Sequence, residues 1–72
     1  MAHVPPLVHS ATAAGPAYLL AWERLPDGAW GARIAWIEME GESWRGRTAH
    51  VTADDIAKLD GQDYSAVPRR AS

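Results

Sequence analysis

Between Tyr18 and Val51 the chain runs as three apolar segments parted by two glycine-containing turns, and these segments carry all four tryptophans. Ala17 to Leu25 and Ala29 to Glu40 are rich in Leu, Ile, Trp and Tyr, which suits strands. Ser43 to Val51 is a weaker third strand containing Gly46. The flanking turns and the alternation favour an antiparallel meander over a buried helix at Ala29 to Met39.

Leu25-Pro26-Asp27-Gly28 sets the first register. Proline fixes the dihedral at the second turn position and glycine accepts the left-handed one at the fourth, the order of a type I turn closing into a G1 bulge. With Pro26, Asp27 and Gly28 as the loop, Arg24 faces Trp30, Trp22 faces Ala32, Leu20 faces Ile34 and Tyr18 faces Trp36. Alternation then gathers Tyr18, Leu20, Trp22, Trp30, Ala32, Ile34 and Trp36 on one face. A two-residue Asp27-Gly28 turn would shift the pairing by one, and Pro26, which has no amide hydrogen, weighs against it. The second turn stays open between two forms. A three-residue Glu40-Gly41-Glu42 loop keeps Trp44 with the other tryptophans; a two-residue Gly41-Glu42 turn pairs Glu38 with Arg45 and moves Trp44 across.

Met1 to Pro16 has no sustained period and reads as a flexible arm over 1–16, with Val4, Leu7 and Val8 able to dock on a sheet edge. Thr52-Ala53-Asp54-Asp55 reads as a helix start and Gly61 as a stop. This predicts a helix of about two turns over Thr52 to Asp60, packing Ile56 and Leu59 on the sheet. Gln62 to Val67 is a candidate short final strand anchored by Tyr64 and Val67, and 69–72 a frayed tail. The fold class is therefore mainly β, α+β at the margin, with one small domain over 17–68.

Composition sharpens this. A chain of 72 residues without cysteine has neither a disulfide framework nor a thiolate metal site to support a marginal core. Leu19, Ala21, Leu25, Ala35, Ile37 and Met39 make the second sheet face apolar as well, so the sheet is expected to curl on itself or to pair with a second copy. Hydrophobic and charged fractions of 47% and 22% are those of a soluble globular domain. No run has the length of a membrane span and no signal-peptide pattern opens the chain, so a cytoplasmic address is the expectation. A net charge of -2 weighs against a protein devoted to wrapping phosphates.

Short antiparallel strands, a helical turn after the third long strand, and a last short strand of the type Asp63-Tyr64-Ser65-Ala66-Val67-Pro68 resemble the small SH3-like barrels, including Tudor-type modules. The resemblance spans Tyr18 to Pro68 in pattern only, and it implies a small closed barrel. The acidic, tyrosine-rich opening motif and paired tryptophans of eukaryotic SH3 domains are missing, so proline-peptide recognition does not carry over. Aromatics for a Tudor-type cage are supplied, but no spacing identifies its members.

Trp30 and Trp44, each beside a turn, are the candidate surface tryptophans for stacking, for a cation cage or for a partner. Arg33, Arg45 and Arg47 lie on or next to the central strands, interleaved with aromatics, as a candidate face for single-stranded nucleic acid or an acidic peptide. The plainer reading makes them a solvated face answering Glu23, Glu38, Glu40 and Glu42 across strands. His50, near Asp54 and Asp55, has neither a nucleophile nor a second ligand in sequence. No phosphate loop, serine elbow or metal-binding helix motif is present. The expectation is a non-catalytic module that uses a Trp-rich sheet surface for self-association or a protein partner. Single-stranded nucleic-acid binding is the alternative; no enzyme activity, cofactor, metal or membrane partner is expected.

Overall fold

The structure, a computed structural model, describes residues 4–70. Its elements are β1 (Leu7–Ser10), β2 (Gly15–Arg24), β3 (Trp30–Glu40), β4 (Ser43–Thr52), a 3-10 turn (Ala53–Asp55), β5 (Ile56–Lys58) and β6 (Arg69–Arg70). They form one mainly antiparallel sheet in the order β4-β3-β2-β1-β5, with β6 laid parallel on β2. Among the described residues no helix is long and apolar enough to cross a membrane.

The β2–β3 turn takes the bulged form. Gly28 N–H donates to the Leu25 carbonyl at 2.9 Å and Leu25 N–H to the Ala29 carbonyl at 2.8 Å, with Gly28 at φ 88°. Arg24 therefore faces Trp30, and Trp22 faces Ala32. Further along, the ladder slips between Leu19 and Ala21, so that Leu19 faces Ile34 and Tyr18 faces Ala35. One extra residue reverses the parity of everything beyond it. Leu19 rather than Leu20 enters the core, and Tyr18 leaves the tryptophan face. The slip falls where the free edge of β2 changes partner. The Pro6 carbonyl, just before β1, accepts from Leu19 N–H at 2.9 Å; the Pro68 carbonyl, just before β6, accepts from Trp22 N–H at 2.8 Å.

The β3–β4 turn takes the two-residue form, with Glu40 opposite Ser43, Met39 opposite Trp44 and Glu38 opposite Arg45. Gly41 at φ 63° supplies the left-handed first position of a II′ turn. Trp44 is thereby carried to the face opposite the other tryptophans.

Four expectations are corrected. The arm is not loose over its described length: Leu7–Ser10 is β1, paired on both edges, with Val8 and Ser10 fully buried. Met1 to His3 lie outside the described residues. The helix over Thr52 to Asp60 is instead a 3-10 turn followed by β5, and Thr52 makes no side-chain cap bond. The second edge of β1 is what the segment satisfies, at Ser10 opposite Ile56 and Val8 opposite Lys58. Gln62 to Val67 is not a strand, although Tyr64 and Val67 do anchor it. Tyr64 Oη donates to the Leu7 carbonyl at 2.5 Å and accepts from Leu59 N–H at 2.8 Å, while Val67 is buried in the core. Within 69–72, Arg69–Arg70 is β6, so that part is not frayed, and Ala71 and Ser72 lie outside the described residues.

Curvature follows from connectivity. β4 and β5 are the two ends of the strand order, yet only Ala53–Asp55 separates them. A flat sheet would hold strands four places apart at about 19 Å, whereas Thr52 to Ile56 spans at most about 14 Å even when extended. The sheet must curl at that corner. β4 and β5 share no ladder, so the closed barrel implied by the resemblance is instead an open, strongly curled sheet. Its concave side holds Val8, Ala17, Leu19, Ala32, Ile34, Val51 and Val67, with Trp22 and Trp36 packed against them only partly buried.

Asp55 staples the corner: it accepts from Ser10 Oγ at 2.6 Å and Thr12 Oγ1 at 3.0 Å, and its carbonyl accepts from Ala11 N–H at 3.1 Å. Asp55→Ala strips the buried Ser10 hydroxyl of its acceptor and is expected to cost about 1–3 kcal/mol, read from the denaturant midpoint. Gly31→Ala is expected to cost about 1–3 kcal/mol by the same measurement, because a Cβ there would collide with the Val51 carbonyl and with both methyls of Leu25 at 2.9 Å.

Candidate functional site

Alternation across the β3–β4 hairpin gives it two unlike faces. On the concave side Trp36, Glu38 and Glu40 lie against Arg47, Arg45 and Ser43. On the convex side Ile37 and Met39 lie against Gly46 and Trp44, and the three large side chains are 64%, 58% and 69% exposed. Beyond Ile37 the convex face continues to Ala35, which is opposite Tyr18. The result is an apolar strip on solvent, beside β4, which is ten residues long and the sheet's edge.

The three candidate arginines do not form one face. Arg45 pairs with Glu40 and Arg47 with Glu38, both at 3.1 Å, on the concave side of the hairpin. Arg33 lies on the convex side, 3.4 Å from Glu23. The two pairs on the hairpin are exposed and worth little to stability, but each of the three arginines has an acidic neighbour that a phosphate would have to displace. Trp30 and Trp44 are both exposed and sit on opposite faces, so no single ligand spans them.

His50 joins Arg33 and Glu23 rather than Asp54 and Asp55. Arg33 Nε–H donates to His50 Nε2 at 3.0 Å, which places the imidazole proton on Nδ1. Glu23 Oε1 lies 3.2 Å from the same nitrogen and receives no hydrogen bond. Among the described residues no group of three or more His, Cys, Asp and Glu is placed to hold a metal.

A second concentration of aromatics lies at the other end of the concave side. Trp22 on β2, Trp30 on β3, Lys58 on β5 and Arg69 on β6 line an open cavity of about 310 Å³. Its members come from the end of the first hairpin and from two short strands that alternation alone did not disclose. The Lys58 Nζ lies 5.8 Å from the Trp22 ring and 5.5 Å from that of Tyr64, and the Arg24 guanidinium 4.9 Å from Trp30. The sequence signal that could have pointed to it was Arg24 facing Trp30 across the turn. Family models, curated proteins and solved structures were all compared with this chain, and none matches.

Trp36 also reports on its surroundings. Its indole N–H donates to Glu38 Oε1 at 2.9 Å, and this bond, aided by Arg47, holds the Glu38 carboxyl below its ordinary value. A lowered folded-state pKa means that this contribution is present at neutral pH and is lost as pH falls through the folded value. The Trp36 indole N–H resonance is expected to titrate below the ordinary glutamate range, and Glu38→Gln to abolish that titration in an NMR pH series.

Proposed function

We propose that this chain is a non-catalytic interaction module of the SH3-like kind that associates with a second copy of itself through β4 and the convex strip. The observation that carries the reading is the adjacency of two features. Ile37, Met39 and Trp44 form an exposed apolar strip, and β4 beside them is an edge strand with one row of backbone amides and carbonyls unpaired. Edges of this length are ordinarily guarded by charge, proline or a bulge. Here the charges on β4 are Arg45 and Arg47, already answered by Glu40 and Glu38, and the strand has neither proline nor bulge. Gly46, with open space where a side chain would stand, lets another backbone come close.

Antiparallel pairing of β4 with its copy is isologous, because each strand offers the other the same groups. It would carry one convex face into the next and place the two strips side by side, burying apolar area that a core built partly of alanine leaves available. The helical turn after the third long strand, and the short strand that follows it, support the SH3-like assignment. A second reading is a strand-shaped segment of another protein added to the same edge.

Sedimentation equilibrium over a wide concentration range is expected to give a monomer–dimer equilibrium. Met39→Lys and Trp44→Lys, at exposed positions, are expected to shift it to monomer by tenfold or more while moving the denaturant midpoint little. A wild-type chain that stays monomeric at millimolar concentration removes self-association.

A further inference from the structure

The cavity bounded by Trp22 and Trp30 is independent of the strip, since it opens on the opposite face and at the other end of β3. Its electrostatics decide what it can hold. Among the described residues the ion pairs use Arg33, Arg45, Arg47 and His50. Arg24, Lys58 and Arg69 belong to none of them, and all three stand at this cavity or over its tryptophans. Among the described residues no carboxylate lines it. Glu23, the nearest acid in the ladder, pairs with Gly31 and therefore projects to the convex side, toward Arg33 and His50. The net charge of -2 thus hides a corner where positive charge is concentrated without an ion-pair partner among the described residues.

The aromatic rings here are not a vacant cation cage. Lys58 already sits over Trp22 and Tyr64, and Arg24 over Trp30, so an ammonium ligand would have to displace a lysine and meet two further positive charges. The same arrangement suits an anion with a flat ring. Trp30 is 39% exposed, and a base stacks on its ring in place of the Arg24 guanidinium, which then joins Arg69 in offering paired donors while Lys58 adds a point charge. At about 310 Å³ the space is at the small end of ligand sites, the size for one ring and its phosphate. The lining is fixed by ladders: Trp22 lies opposite both Ala32 and Arg69, and Lys58 opposite Val8.

We propose that this cavity binds a nucleotide unit, its base stacked on Trp30 and its phosphate held by Lys58 and Arg69. The unit arrives either as a free nucleotide or within a single strand, and the test separates these. Tryptophan emission of the full chain is followed at low salt against thymidine, thymidine monophosphate, inorganic phosphate and a single-stranded oligothymidylate. The expected result is quenching by the monophosphate, by the oligothymidylate, or by both, and none by thymidine or phosphate alone. Quenching by the oligomer only identifies a strand, and equal affinity per nucleotide identifies the free ligand. Lys58→Ala with Arg69→Ala is expected to weaken binding at least tenfold; for the strand it also flattens the dependence of log K on log salt by about 1.4, two contacts at about 0.7 each. Arg45→Ala is expected to leave binding unchanged. Absence of quenching by every probe overturns the proposal, as does undiminished binding by the double variant while its circular dichroism matches the wild type. Binding of inorganic phosphate as tight as that of the nucleotides overturns the stacking component.

Discussion

The three-residue connection between β4 and β5 is the constraint on which the other features of this sheet depend. Strands at opposite ends of the order are tied by Ala53–Asp55, and the sheet can obey only by curling. Asp55 holds the corner by accepting from Ser10 and Thr12, and the buried Ser10 hydroxyl is satisfied there. Curling also brings Lys58 of β5 over Trp22, beside β6 on the edge of β2, which turns two tryptophans on a sheet into the wall of a cavity. Without the corner, Lys58 would have no reason to meet Trp22, whereas Arg69 reaches it through the β2–β6 ladder.

The curl divides the apolar side chains unequally. The concave side is filled by a few medium-sized residues and several alanines, and no tryptophan is among the fully buried core. Large aromatics therefore stay at the margins, half-covered or open. On the convex side none of the described residues covers Ile37, Met39 and Trp44, and the neighbouring edge is open as well. An apolar strip beside an unpaired edge is an arrangement that small domains ordinarily blunt; here it stands exposed.

Charge is divided too, along the length of the sheet. The far hairpin answers its own arginines with glutamates across the strands, and Arg33 shares Glu23 with His50. Arg24 near the first turn and Lys58 on β5 lie over aromatic rings instead of carboxylates. A nearly neutral total thus covers two ends of opposite habit, which composition averages away.

What the sequence by itself determined was local. Pro26 and Gly28 specified the first turn and its register as far as Ala21, because a fixed φ and a left-handed position leave few turn geometries. Alternation identified three long strands, and it marked Trp30 and Trp44 as exposed because each flanks a turn. The second turn was legible only as two alternatives, and a single residue of loop length decided the face of Trp44. Tertiary structure decided the rest. The bulge at Leu20, β1 out of the apparent arm, and β5 in place of a helix all answer the need of distant edges for hydrogen-bond partners, a need that no local window contains. The cavity was hidden for the same reason. Its four lining residues come from four strands between positions 22 and 69: distant ladders set Trp22 beside Arg69 and next to Trp30, and the curl of the sheet brings Lys58 to them.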